Sequence, residues 1–224
     1  TTAAFEPTLD YCVVKIPRFN FKKFPGTPAK LGTSMKAVGE VMAIGRTFKE
    51  SFQKGIRSME VSRFGFGFDK KELKDIDKEE LETFIRNGNP WRLYYIKYAL
   101  ETGYTVDDIF KLSRIDKWFL IQMEQLVNFA KTITKTPELI REAKELGFSD
   151  VQLAYILGEP DEMGIRKFRD DNDIIPTYNL VDTCAAEFEA ETPYYYSTYE
   201  TETEVTVSDK KKVMILGGGP NRIG

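Results

Sequence analysis

Residues 213–224, VMILGGGPNRIG, carry the clearest suggestion of chemistry in the chain. An apolar strand that turns through glycines lets backbone amides approach a phosphate, and the N-terminus of a following helix completes the cradle. Gly217, Gly218 and Gly219 supply such a turn, but Arg222 stands where a G-x-G-x-x-G loop has its third glycine. Gly-Lys-Ser/Thr is also missing, so this is no Walker A loop. The glycine loop is incomplete, and a strand ending in a tight turn fits the same residues.

Other chemistry is narrowed by absences. The 224 residues include no histidine, which removes imidazole triads, histidine metal ligands and imidazole proton shuttles. Cys12 and Cys184 are too few for a structural zinc site and read as reduced, half-buried side chains. The acidic tracts at 75–82 and 187–191 lack the carboxylate spacing of a calcium loop and read as solvated faces; no metal site is expected. Residues 147–169 have the outline of a helix-turn-helix. Arg166, Lys167 and Arg169 are nevertheless offset by Asp161, Glu162, Asp170, Asp171 and Asp173, so a packed helical hairpin is expected there, not a DNA reader. Tyr194, Tyr195, Tyr196 and Tyr199 could stack on bases, but a net charge of −3 offers no basic groove beside them. They are expected to pack against the protein.

The elements that would position these residues fall into unequal parts. Up to about residue 64 the character is mixed. YCVVKI reads as a strand ended by Pro17, and KAVGEVMAIG as a second strand. A helix follows, with Thr47 and Glu50 at capping-box spacing and Phe48, Phe52, Ile56 and Met59 on one face. RFGFGFD, residues 63–69, reads as an aromatic-pinned linker at a domain junction. From there to about residue 172 come short helices. Asn89 with Pro90 opens one that Gly103 ends. Thr136 with Pro137 opens one that Gly147 ends, and Ser149 with Gln152 one that Gly158 ends. The longest, residues 115–133 capped by Asp116, is apolar nearly all round and is expected at the centre. An extended strap follows from residue 174, then a polar hinge at 208–212 and a last strand. No run is apolar enough for a membrane helix and neither end resembles a secretory signal, which favours a cytoplasmic location.

The wording of several segments goes further. TTAAFEPTLDYCVVKIPRFNFKKF, SMKAVGEVMAIGRTFKESFQKGIRSMEV, SRIDKWFLIQMEQLV, VDTCAAEFEAETPYYYSTYE and KKVMILGGGPNRIG occur in that order. Together they resemble the central part of the carbamoyl phosphate synthetase large subunit. The resemblance implies a mainly α chain: a helical oligomerisation domain flanked by an α/β remnant of an ATP-grasp domain and the terminal strand of a Rossmann-like pre-ATP-grasp domain. It divides the chain into 1–64, the C-terminal part of an ATP-grasp domain; 69–190, the helical domain; 191–212, a connecting strap; and 213–224, the start of the second synthetase half.

The family's activity is ATP-dependent ligation of glutamine-derived ammonia and bicarbonate. It implies ATP, magnesium and potassium in the full enzyme, with a glutaminase small subunit as partner, and a homo-oligomer built through the helical part. Nucleic acid and membrane partners are not implied. The family's metal and nucleotide ligands match no position here, so no catalytic residue carries over, no cofactor is expected on these residues, and the isolated chain is expected to be inactive. Glu40 matches a position near the family's internal tunnel; a salt-bridged carboxylate on a strand is the equal alternative. For self-association the expectation falls on a peripheral helix at 77–87, whose Leu81, Phe84 and Ile85 form an apolar stripe.

Overall fold

The structure, a computed structural model, describes residues 6–21 and 26–217. Alternating side chains make a ribbon from β1 (Cys12–Phe19) and β2 (Ala37–Gly45), antiparallel with Cys12 opposite Gly45 and Pro17 opposite Glu40. The first strand thus runs on past Pro17. Each strand of a two-stranded ribbon keeps one open edge, where the missing proline N–H costs no ladder bond.

One face of the ribbon, with Val41 and Ala43 buried, packs under α1 (Phe48–Ser58). Thr47 caps α1 by accepting from Glu50 N at 3.3 Å. The capping box is not reciprocated as its spacing suggests, because the Glu50 carboxylate accepts from Arg46 N at 2.7 Å instead.

Seven further helices complete the mainly helical architecture among the described residues: α2 (Lys78–Arg86), α3 (Arg92–Glu101), α4 (Val106–Ser113), α5 (Lys117–Ala130), α6 (Pro137–Glu145), α7 (Asp150–Leu157) and α8 (Glu162–Asp171). Most starts follow their caps. Thr105 with Asp108 and Ser149 with Gln152 form complete capping boxes, and Pro137 sits in the first turn of α6. Asn89 behaves differently from its expected role. Its side chain accepts from Trp91 N and donates to the carbonyls of Phe84 and Asn87, closing the α2–α3 turn, so α3 begins two residues later than the Asn-Pro signal predicts. The aromatic stretch 63–69 does not divide two cores. Phe66 is buried against Phe52, Phe68 packs on Phe148, and one apolar cluster runs from Val41 and Ile56 through Ile96, Leu126 and Leu153 to Ile174.

Two expectations are corrected. Leu81 and Ile85 are 3% and 0% exposed within the chain's own core, and Phe84 stacks on Tyr95 with ring centroids 4.1 Å apart. The stripe at Leu81, Phe84 and Ile85 therefore faces inward; α3 and α4, packed against α2, give it the cover that a second copy was expected to supply. The central helix α5 is likewise only partly enclosed. Leu120, Met123, Leu126, Val127 and Ala130 are buried, whereas Trp118, Phe119 and Ile121 on its N-terminal half are exposed.

The strap returns to the ribbon side as β3 (Thr177–Leu180) and β4 (Tyr195–Thr198), antiparallel with Thr177 opposite Thr198. Tyr196 is buried and Tyr199 packs on the core, while Tyr194 and Tyr195 remain exposed, so the tyrosine cluster is divided between packing and solvent. Val213, Met214, Ile215 and Leu216 form no strand and are exposed: no neighbouring strand among the described residues offers them ladder partners. Gly217 follows them outside any regular element, and Gly218 and Gly219 lie outside the described residues.

Candidate functional site: a buried polar junction

Helix α1 carries Glu50, Gln53, Lys54 and Arg57, spaced i, i+3, i+4 and i+7 on one side. Opposite its apolar side, this row is the place where ribbon, helices and strap meet. Glu50, 1% exposed, joins three elements. It accepts from Arg46 N, from Thr198 Oγ1 at 3.2 Å, and pairs with Lys54 Nζ at 2.6 Å. Lys54 in turn donates to the carbonyls of Ile44 in β2 and Ser197 in β4. Burial pulls the Lys54 pKa down, and the Glu50 carboxylate opposes that shift without cancelling it. A second clamp holds the strap's far side, where Arg46 Nε lies 3.4 Å from Glu200 and Arg46 Nη1 2.6 Å from Asp10.

Gln53 and Gln152 stitch the aromatic stretch to two helices 99 residues apart. Gln53 Oε1 accepts from Phe66 N and from Gln152 Nε2, both at 3.0 Å, and Gln152 Nε2 also donates to Gly67 O at 2.8 Å. Arg57 reaches the carbonyl of Gly147 at 2.7 Å, and burial lowers its pKa. Beside it lies the densest charge group. Asp150 accepts from Arg169 Nε at 3.0 Å and Nη2 at 2.7 Å, and from Lys144 Nζ at 3.0 Å. Burial pushes the Asp150 carboxyl up, but Lys144 and Arg169 outweigh it and hold it below its ordinary range. Burial brings the Lys144 ammonium down to about 8 against the pull of Asp150. Tyr199 covers the group, its ring 5.2 Å from Lys144 Nζ and 5.8 Å from the Arg169 guanidinium.

Two buried hydroxyls have partners in the junction, Thr198 Oγ1 donating to the Glu50 carboxylate at 3.2 Å and Ser51 Oγ to Cys12 O at 2.7 Å. Among the described residues no group of three histidine, cysteine or acidic side chains could hold a metal ion. An open cleft of about 750 Å³ beside Arg57 is lined by Arg18, Glu60, Ser62, Arg63 and Phe64. Its charges are matched locally, Arg63 by Asp69 at 3.0 Å and Arg18 by Glu60 at 3.8 Å. The arrangement is suited to holding elements together. Replacing Thr198 by valine removes one donor from a buried carboxylate and should cost about 1–3 kcal/mol, read from urea unfolding.

The residues singled out from the sequence lie elsewhere. Glu40 sits on the outer face of the ribbon, 3.0 Å from Lys15 and exposed to solvent, the geometry of a salt-bridged carboxylate on a strand. Cys12 and Cys184 are half-buried and unpaired. The 147–169 segment is a packed α7–α8 hairpin whose Arg169 is spent on Asp150 and whose Lys167 pairs with Asp171. No helix among the described residues is long and apolar enough to cross a membrane.

Comparison with known proteins decides the family. A family model described as carbamoyl-phosphate synthetase large chain, oligomerisation domain, matches residues 40–173, more than half of the chain. The chain belongs to the carbamoyl-phosphate synthetase large-chain family. It is 51% identical to the carbamoyl phosphate synthase large chain of Archaeoglobus fulgidus and 52% identical to that of Nostoc sp., matching over all of its length in both cases. It covers only 22% and 21% of those relatives, about a fifth of their length. A large chain N-terminal section from Aquifex aeolicus is 52% identical over 89% of this chain and 36% of its own length. The matched carbamoyl-phosphate synthetase span takes in α1, the other helices among the described residues and the junction residues from Ile44 to Arg169, while Asp10, Cys12 and the strap residues lie outside it.

Proposed function

We propose that this chain is the connecting piece of a carbamoyl phosphate synthase large chain, linking two synthetase halves and associating with copies of itself. The observation that carries this reading is the junction. One helix, α1, binds the β-ribbon, the helical array and the strap through Glu50, Gln53, Lys54 and Arg57, so what enters at the ribbon and leaves by the strap is held on one rigid block. In this reading the ribbon with α1 is the end of an ATP-grasp domain, and residues 213–224 begin a Rossmann-like unit.

In the whole enzyme ATP, magnesium and potassium would serve the ligation of bicarbonate with ammonia released by a glutaminase small subunit. The residues described here do not fit that nucleotide–metal centre, since they bring no carboxylate cluster together, and no step is routed through them. The ribbon face bearing Glu40 and Met42 is left uncovered by the other described residues, which suits a wall that a further layer closes, and this supports the tunnel position for Glu40.

The test joins two measurements on the chain itself. Calorimetry with magnesium and ATP should give no saturable heat, and light scattering should give a mass above the 25.7 kDa of one copy that grows with concentration. A saturable nucleotide site would sink the connector reading, and a constant single-copy mass the self-association.

A further inference from the structure

Three guanidiniums line the cleft at the end of α1: Arg18 from β1, Arg57 from the last turn of α1 and Arg63 from the turn that follows, with Glu60 on the same wall. Two of them have carboxylates of their own. Arg18 lies 3.8 Å from Glu60, an ion pair too long for a hydrogen bond, and its Nε is buried without an acceptor among the described residues. Arg63 pairs with Asp69, whose oxygens also accept from the amides of Phe64 and Lys71. Arg57 is different. Its Nη1 donates to Gly147 O, a neutral partner, and no carboxylate among the described residues forms an ion pair with it. Glu50 and Asp150 attract it from behind, but Lys54, Lys144 and Arg169 already share those two carboxylates. The C-terminal end of α1 offsets about half a charge, so part of the Arg57 charge stays unanswered.

We infer that this cleft is an oxyanion site, in which Arg57 and Arg18 take up a carboxylate or phosphate group. The site goes beyond the connector reading and does not depend on it. A guanidinium offers parallel N–H donors in a planar fork, a geometry that two oxygens of one carboxylate or phosphate match and a spherical ion does not. Arg57 spends one donor on Gly147, and Arg18 has a buried donor to spare. The cleft has room, at about 750 Å³, and the exposed Phe64 ring on its wall lowers the local dielectric in which the pair would form. The group has two possible sources with the same chemistry. One is a free anion from solution. The other is a carboxylate side chain of a longer polypeptide, since the chain spans about a fifth of its relatives' length.

Calorimetric titration of the 224-residue chain with inorganic phosphate at fixed ionic strength tests it. The parent should bind phosphate saturably in the millimolar range. Arg57→Lys, which keeps the charge and loses the fork, should weaken binding by about tenfold or more, and so should Arg18→Gln, with unchanged circular dichroism. Lys111→Gln on α4 should leave the affinity as it was. Adenosine should not compete, which keeps this subsite apart from a nucleotide site. If Arg57→Lys loses helicity, Arg18→Gln decides. The sources separate in a whole large chain carrying these residues. A phosphate affinity that Arg18→Gln still weakens there means an anion from solution, whereas loss of that component means that a carboxylate of the longer polypeptide already fills the site. No saturable heat from the 224-residue parent overturns the site, as does one affinity shared by the parent and every folded cleft variant.

Discussion

Asp150→Ala should cost the chain about 3–5 kcal/mol of stability, because it removes the acceptor from two buried cations at once. Lys144 and Arg169 are each only 8% exposed, and Asp150 takes both forks of the guanidinium as well as the ammonium. With the carboxylate gone, Lys144 keeps the carbonyl of Phe148 and Arg169 that of Ile174, neutral partners for desolvated charges. Urea unfolding at neutral pH reads the loss. A cost below about 1 kcal/mol would mean that water enters and solvates the cations.

The same group has a pH signature. Lys144 has a folded pKa of about 8, below its ordinary 10.5, so between those values the unfolded chain holds more protons on this residue. Stability contributed at Lys144 therefore rises with pH across that window and is flat below it. Asp150 has the opposite limit: its folded pKa is depressed, so its contribution is present above the ordinary carboxylate range and lost as pH falls through the folded value. Unfolding free energies of the parent and a Lys144→Met variant, compared from pH 8 to 10, should diverge, with the parent gaining.

How much of this was legible beforehand depends on whether the signal is local. Caps written within four residues, such as Thr47, Asp116, Thr136 and Ser149, all accept the amide expected of them. Asp77, not singled out as a cap, also accepts from Glu80 N, and the apolar residues that follow it pack against a neighbour their stripe does not name. A stripe such as Leu81, Phe84 and Ile85 states that one face is buried and is silent about what buries it. Gln53 and Gln152 show the larger limit. Each reads as an ordinary helix residue, Gln152 even as a capping-box partner, and their hydrogen bond across 99 residues leaves no trace in either neighbourhood. The charge row at 50, 54 and 57 could have been noticed as a polar face on a helix, but its burial depends on the strap, which arrives 140 residues later. Trp118 and Phe119 failed in the other direction, since apolar character all round a helix suggests full enclosure and the chain encloses only half.

Gly147→Ala should cost about 2–5 kcal/mol, from two sources that can be separated. Gly147 has φ of +86°, a left-handed conformation that costs an L-residue about 1 kcal/mol or more. It also sits where the α6–α7 turn touches α1. A methyl group there would lie 2.9 Å from both the Cα and the carbonyl oxygen of Glu50 and 3.1 Å from Gln53 Cβ. Two of those atoms are backbone of a buried helix, so relief requires α1 to move from the turn, and the Arg57 bond to Gly147 O moves with it. Gly158 supplies the control: its φ is +70°, it ends α7 in the same conformation, and a methyl group there meets nothing within 4 Å. Gly158→Ala should therefore show the backbone cost alone, about 1 kcal/mol. The difference between the two variants measures the close approach of turn and helix. If thermal unfolding finds them equal, the turn can back away from α1 freely, and the junction is not the rigid block that the proposed connector requires.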